Sequence, residues 1–170
     1  IAVDERSADF ASVDGVLFNK DHTALIAYPA GRKDTAYQIP KGVTSMGIGA
    51  FSGCKNLTSV VIPEGVTKIE NTAFLGCSGL ISITIPEGVT SIEEDAFDGC
   101  SSLASVTIPE SVTEIGFGAF AGCSSLTSVT IPQGVTHIDT LAFGNCSSLS
   151  NIFVDERNTT YASVDGVLFN

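Results

Sequence analysis

Short stretches of alternating polar and apolar residues recur along the chain, and one of them shows the pattern clearly. Residues 58–62 are mostly β-branched, which favours a strand. The alternation turns Val60 and Ile62 toward a core, so Ser59 and Val61 face solvent. A proline follows directly and, because it lacks an amide hydrogen, it ends the strand. The pattern therefore predicts a short strand with one buried and one exposed face.

The residues after this strand predict a turn and a return to the core. Val66 and Ile69 lie three residues apart, which suits a short extended or 3-10 segment. Residues 73–77 have apolar spacing suited to one helical turn with a buried inner face. Gly76 then allows the chain to turn back toward the next strand.

The same pattern returns every 23 residues. Ile-Pro pairs begin at positions 39, 62, 85, 108 and 131, and Ala-Phe pairs begin at 50, 73, 96, 119 and 142. A cysteine column has the same step: Cys54, Cys77, Cys100, Cys123 and Cys146. Such a repeat indicates a solenoid in which each coil buries its apolar side against its neighbours.

One repeat reads L-x-x-[VI]-x-I-P-x-[GS]-V-T-x-I-x-x-x-A-F-x-x-C-S-x and covers residues 37–154 almost without a gap. This string resembles the BspA-type leucine-rich repeat family. The resemblance implies a β-rich, right-handed solenoid with a parallel sheet of one strand per coil. It also implies a secreted or surface-anchored protein of host-associated bacteria, linked to adhesion and to binding host proteins. The family offers no catalytic residues to carry over.

The two ends of the chain are variants of each other. Residues 1–19 and 152–170 are identical at 14 of 19 positions. We expect a single repeat domain with a variant coil over residues 1–36, five regular repeats over 37–151, and the start of a second variant coil over 152–170. Apolar runs within residues 16–28 predict a β-hairpin in the first variant coil. The matching ends suggest an excerpt of a longer protein and possible end-to-end self-association.

Charge narrows the range of partners. The 170 residues carry a net charge of −11, and residues 69–156 contain no Lys or Arg. Nucleic acids and anionic lipid surfaces require clustered cations, so neither is an expected partner. The chain also lacks a run of 18 apolar residues, so we expect no membrane insertion within this segment.

The cysteines and acidic residues do not match known metal or disulfide patterns. The cysteines lack the paired spacing of metal sites, and equivalent residues of adjacent coils lie ~4.8 Å apart, too far for a comfortable disulfide. We expect a buried line of free thiols. The acidic cluster at residues 93–98 fits no calcium loop, which favours a solvated acidic face.

No catalytic arrangement is evident either. His22 lies outside the regular coils, and His137 occupies a column that also holds Ser, Lys and Glu, so we expect it to face solvent. The sequence therefore predicts a protein that is not an enzyme and needs no cofactor or metal.

The remaining candidate for a functional surface is the outward face of the predicted strands. It forms two files of small uncharged side chains: Ser59, Val61, Ser82, Thr84, Ser105, Thr107, Ser128, Thr130, Asn151 and Phe153. An extracellular interaction or adhesion module would present this face to a host protein or glycan. Alternatively, the uniform coils form a spacer or stalk that holds another domain away from the cell surface. An ice-binding surface is a third interpretation, and on another the face carries no site, its small residues merely being tolerated there.

Overall fold

The computed structural model describes all 170 residues, which form fifteen short β-strands and no helix. The strands are β1 Phe10–Val13, β2 Val16–Asn19, β3 Ala24–Ala27, β4 Ala36–Gln38, β5 Ser45–Met46, β6 Ser59–Val61, β7 Lys68–Ile69, β8 Ser82–Thr84, β9 Ser91–Ile92, β10 Glu114–Ile115, β11 Ser128–Ile131, β12 His137–Ile138, β13 Asn151–Val154, β14 Ala162–Val164 and β15 Val167–Phe169. Most strands pair in parallel with the equivalent strand of a neighbouring coil, so the chain is a β-solenoid.

The first parallel sheet contains the strands predicted from the alternating pattern. It consists of β4, β6 and β8, and β11 and β13 continue the same face further along. Ser59 lies beside Ser82 and Val61 beside Thr84. Residues paired between neighbouring strands are therefore one 23-residue repeat apart in the sequence. Val60 is buried whereas Val61 is exposed. The parallel pairing and the buried face predicted from the sequence are both confirmed.

A second parallel sheet forms from the short segment after each turn. Strands β7, β9, β10 and β12 pair in sequence, and each contributes only two residues. The second residue of each points into the core: Ile69, Ile92, Ile115 and the half-buried Ile138. Each regular coil except the one that contains residues 104–108 therefore has two strand segments, and the extended form of the segment containing Ile69 is the correct one.

The segment predicted to form a helical turn is not helical, and its hydrogen bonds explain why. The amide of Ala73 donates to the carbonyl of Glu70 at 3.1 Å, which closes a turn within the coil. The next amide, that of Phe74, donates instead to the carbonyl of Ala96 in the following coil, at 2.8 Å. A helix would keep all of these bonds within its own turn. Alternate amides here join neighbouring coils, so a helix cannot form.

Two left-handed residues per coil enforce this geometry. One column precedes the Ala-Phe pair and the other follows it, and both have positive φ in every regular coil: Gly49, Thr72, Asp95, Gly118 and Leu141, then Gly53, Gly76, Gly99, Gly122 and Asn145. A left-handed residue interrupts a right-handed helix. Gly76, with φ of 65°, makes the turn that the sequence predicted at this position.

The aromatic column forms a continuous stack through the core. The centroids of successive rings are 5.1 to 5.6 Å apart, and the ring planes are nearly parallel. The stack contains Phe51, Phe74, Phe97, Phe120 and Phe143. Tyr28 extends it at 5.2 Å from Phe51, so the first coil joins the core through an aromatic residue that the Ala-Phe pattern does not contain. Offset-stacked rings add to the stabilisation that comes from burying their surface.

Both ends of the chain form antiparallel hairpins with the same internal hydrogen bonds. Strand β1 pairs with β2, and β14 pairs with β15. The amide of Ile152 donates to the carbonyl of Gly166 at 2.9 Å. The N-terminal ammonium of Ile1 donates to the carbonyl of Gly15, also at 2.9 Å. The similarity of the two ends in sequence is therefore also a similarity in structure.

The N-terminal hairpin continues into the solenoid. Strand β2 pairs with β3 in antiparallel fashion, and β3 pairs in parallel with β5 of the next coil. Val16 and Phe18 on β2 are buried in this arrangement. The equivalent residues at the other end, Val167 and Phe169, are exposed. Self-association through the ends of the chain stays a prediction.

The first parallel sheet is interrupted at one coil. Residues 104–108 make no backbone–backbone hydrogen bond, and Ser105 and Thr107 belong to no strand. On the other side of the same coil, Phe97 still stacks on Phe120 at 5.2 Å. The opening is therefore confined to the sheet face, while the core and the turn face remain paired.

A side-chain hydrogen bond is missing at this interruption. The hydroxyl of Thr58 donates to the carbonyl of Thr35 at 2.9 Å, and the hydroxyl of Ser150 makes the equivalent bond at 3.2 Å. Ala104 occupies the same column and has no hydroxyl. Ile81 also lacks one, yet its coil is paired. The absence of a hydroxyl in this column is therefore not sufficient to open the sheet.

The interruption predicts fast hydrogen exchange at one coil of an otherwise protected sheet. We expect the amides of residues 105–107 to exchange about tenfold faster or more than those of β8 and β11, since they have no backbone bond to break. Amide exchange followed by NMR would measure this. Equal protection in the three coils would contradict the interruption.

The aromatic stack predicts a large stability difference between two substitutions. Phe97→Ala should destabilise the fold by about 3–5 kcal/mol, because it removes a fully buried ring from the stack. Thr107→Ala should change stability by no more than about 0.5 kcal/mol, because Thr107 is exposed and unpaired. Denaturant unfolding of both variants would test this, and a larger loss for Thr107→Ala would reverse the inward and outward assignment.

Candidate functional site

The predicted interaction surface lies on the outer face of the first parallel sheet. Eight of its ten residues are exposed, and Ser59 and Asn151 are half-buried. Strands β6, β8, β11 and β13 carry all of them except Ser105 and Thr107, which lie on the interrupted coil. The structure therefore brings the ten residues onto one surface, and their role in binding stays a prediction.

The chemistry of this surface is uniform over most of its length. Its two files contain hydroxyls, methyls, one amide and one aromatic ring but no charged group. Val61 and Phe153, at opposite ends of one file, are 44% and 50% exposed. Removing water from hydroxyls and methyls is much less unfavourable than removing it from ions. The surface can therefore contact a flat partner without breaking strong hydration.

Two further residues extend the surface beyond the predicted set. Ala36 and Gln38 on β4 lie beside Ser59 and Val61 in register. A step of 23 residues back from Val61 reaches Gln38, so the repeat contained the signal. The residues before the first Ile-Pro pair differ from the repeat consensus, so Ala36 and Gln38 were not assigned to the surface from the sequence.

Two equivalent clefts lie at the edge of this surface, where strands lead into Ile-Pro turns. The larger, of about 510 Å³, is lined by Gln38, Ile39, Lys41, Val61, Ile62, Pro63, Glu64 and Gly65. The smaller, of about 220 Å³, is lined by Val106, Thr107, Ile108, Glu110, Thr130 and Pro132. Five residues of one match five of the other at a distance of three repeats. The larger cleft contains a lysine where the smaller contains a glutamate.

The five cysteines form a buried line of free thiols. Each thiol lies close to a backbone carbonyl of the preceding coil; Cys77 Sγ donates to the carbonyl of Phe51 at 3.0 Å, and Cys100 Sγ to that of Phe74 at 3.2 Å. Burial raises the pKa of Cys123 to about 12. A thiol with such a pKa stays protonated at neutral pH, so it is a poor nucleophile and a poor metal ligand.

The acidic cluster does not converge on a common point. Glu93 accepts hydrogen bonds from Lys68 Nζ and Ser91 Oγ, both at 2.8 Å. Burial opposes ionisation of Glu93, but these two bonds together lower its pKa. Burial and the charge of Asp95 raise the pKa of Asp98. No three His, Cys, Asp or Glu side chains lie close enough to hold a metal ion.

The two histidines lie in separate places. His137 is exposed on β12, beside Glu114 of β10. His22 packs against the ring of Phe18, with ring centroids 5.8 Å apart. The structure therefore does not bring a histidine together with a nucleophile.

A file of threonines on another face was not anticipated as a structural feature. It precedes the strands of the second sheet and consists of Thr44, Thr67, Thr90, Thr113 and Thr136, all exposed. The hydroxyl of Thr90 donates to the carbonyl of Thr67, and that of Thr113 to the carbonyl of Thr90, both at 3.2 Å. These hydroxyls link coils to one another, so their invariance has a structural cause.

The repeat geometry agrees with a known family. The sequence profile of the BspA type leucine-rich repeat region matches residues 33–150 in six copies. The chain belongs to the BspA-type leucine-rich repeat family. This confirms the resemblance seen in the repeated string.

Solved structures with the same architecture come from bacterial proteins. A leucine-rich cell surface protein from Faecalibacterium prausnitzii A2-165 matches with a TM-score of 0.82 and 40% identity, over 87% of this chain and 40% of that one. The pneumococcal vaccine antigen PcpA matches with a TM-score of 0.81 and 30% identity, over 91% of this chain and 39% of that one. A leucine-rich repeat protein of T. pallidum matches with a TM-score of 0.71 and 32% identity, over 79% of this chain and 65% of that one.

This BspA-type chain spans about 40% of the length of the first two of these proteins. No curated protein sequence matches it. The fold contains no helix with the length and apolar character needed to cross a membrane.

The buried thiols predict a sharp difference in reactivity between the folded and unfolded chain. Without reductant, a thiol-reactive dye at neutral pH should label the native protein very slowly, because the cysteines are buried and protonated. After denaturation it should label five thiols per chain. A count of one or three would require disulfide bridges and would contradict the line of free thiols.

Proposed function

We propose that this chain is a non-catalytic, extracellular interaction or adhesion module that presents the outer face of its first parallel sheet to a host protein or glycan. The observation that carries the proposal is the uncharged surface over β6, β8, the interrupted coil, β11 and β13, in a chain of net charge −11. Neither file contains a charged residue at any of its ten positions. A rigid surface loses little conformational entropy on binding, and an uncharged one loses little hydration free energy.

The relatives support the location and the class of function. One structural neighbour is named as a cell surface protein and another as a vaccine antigen. Both are considerably longer than this chain, so the proposal concerns the repeat segment. It functions outside the cell and contributes a binding surface to a larger protein.

The alternative function is a spacer or stalk. The near-identity of the regular coils favours it, because a spacer needs only a repeated, rigid unit, whereas a specific site requires residues that differ from the repeat. The deviations at Gln38 and Phe153 favour recognition, since these residues stand at the two ends of a file that otherwise holds Val and Thr.

Binding arrays with matched variants would separate the two functions. The purified chain would be applied to arrays of extracellular-matrix proteins and of glycans, with Thr84→Glu and Thr130→Glu as surface variants. Each introduces a charge into the face and should reduce binding about tenfold or more, because a buried unpaired carboxylate is strongly unfavourable. Ser45→Glu is the control, since Ser45 is exposed outside the face in a column that accepts glutamate at Glu114.

Loss of binding in the two surface variants, with binding retained in the control, is the expected outcome. An absence of binding by the native chain on both arrays would favour the spacer. Equal binding by all variants would place the contact on another face and overturn the proposal.

A further inference from the structure

The larger cleft differs from the rest of the solenoid at the residues that could bind a ligand. Lys41 occupies a column that holds Glu64, Glu87, Glu110 and Gln133 in the later coils. Gln38 occupies a column that holds Val or Thr in the next four coils and Phe at the last position. The repeat fold does not require either residue, because the other coils form the same turn without them.

The charge around this cleft also differs from that of the chain as a whole. Residues 29–68 contain five Lys or Arg and two Asp or Glu. Residues 69–170 contain one Lys or Arg and twelve Asp or Glu. Lys41 is exposed and makes no salt bridge, so its ammonium group is available to a ligand. Lys41 therefore places an ammonium group without a salt bridge in the cleft, opposite in sign to the net charge of the chain, and this group favours a ligand with one anionic group.

The other lining groups narrow the type of anion. The amide of Gln38 can donate and accept hydrogen bonds, while the carboxylate of Glu64 can only accept them. Val61 and Pro63 supply apolar surface between these polar groups. One cation, one amide and one carboxylate suit a ligand with a single carboxylate, several hydroxyls and an apolar ring edge. Glu64 would repel a ligand with many carboxylates, such as an acidic peptide.

We propose that this cleft binds a uronic acid unit of a glycan. Lys41 takes the sugar carboxylate, Gln38 and Glu64 bond to ring hydroxyls, and Val61 and Pro63 contact the C–H groups of the ring. The cavity of about 510 Å³ lies within the range of roughly 300–1,000 Å³ that is usual for small-ligand sites. The inference rests on the proposed function, because it assigns a ligand class to one edge of the proposed binding face.

A titration with sodium glucuronate, followed by the backbone amide spectrum of the labelled chain, would test the site. We expect saturable shifts at Gln38, Lys41 and Gly65, and binding about tenfold or more weaker for glucose, which lacks the carboxylate. Lys41→Glu should weaken glucuronate binding by the same factor. This variant restores the residue found in the next three coils, so it should fold.

The control is Lys55→Glu, which makes the same charge change in the same basic region but outside the cleft lining. It should change the affinity by less than about threefold, because an exposed charge at a distance is largely screened. Equal losses in the two variants would show a general charge effect and overturn the site. Equal binding of glucose, or tighter binding of a glutamate-rich hexapeptide than of glucuronate, would overturn the assignment of a uronic acid.

Failure of this inference and failure of the proposed function are distinguishable. If glucuronate causes no shifts while Thr84→Glu abolishes binding on the arrays, the cleft is not a sugar site and the interaction face stands. If the native chain binds neither glucuronate nor any array component, both proposals fail. Glucuronate binding that depends on Lys41 supports both.

Discussion

The architecture depends on the way the Ala-Phe turn divides its backbone hydrogen bonds. In the first four regular coils the amide of the alanine closes a turn, and the amide of the following phenylalanine donates to the next coil, as at Ala73 and Phe74. Burying this turn without such bonds would leave peptide groups unsatisfied, which is strongly unfavourable. The bonds between coils fix the separation of the turns and therefore the 5.1–5.6 Å spacing of the phenylalanine rings. The thiols beneath them are close to backbone carbonyls for the same reason.

The sheet face can open locally while the turn face stays paired. At residues 104–108 the sheet bonds are absent, yet the stack of Phe97 and Phe120 is undisturbed. The bonds between turns therefore hold neighbouring coils together even where the sheet bonds are missing.

The same organisation explains how a repeat protein can carry a local site. Equivalent clefts recur between Ile-Pro turns, so the fold provides the shape and single substitutions provide the chemistry. The two clefts differ in charge because Lys41 and Glu110 occupy the same column. Selective binding at one coil therefore requires no change of backbone. Comparable solenoids in longer bacterial proteins, including a cell surface protein, have the same framework on which such substitutions could act.

The sequence was sufficient to predict the period, the buried columns and the exposed strand face, because a 23-residue repeat forces equivalent residues into equivalent environments. It also determined the free thiols, since parallel side chains one coil apart are poorly placed to form disulfides. The three-dimensional structure was needed to show that residues 73–77 are not helical, because the amide of Phe74 donates to a carbonyl 22 residues away. The gap at residues 104–108, the burial of Val16 and Phe18, and the cleft at Lys41 were likewise decided there. Each depends on contacts between coils, and local sequence patterns do not specify such contacts.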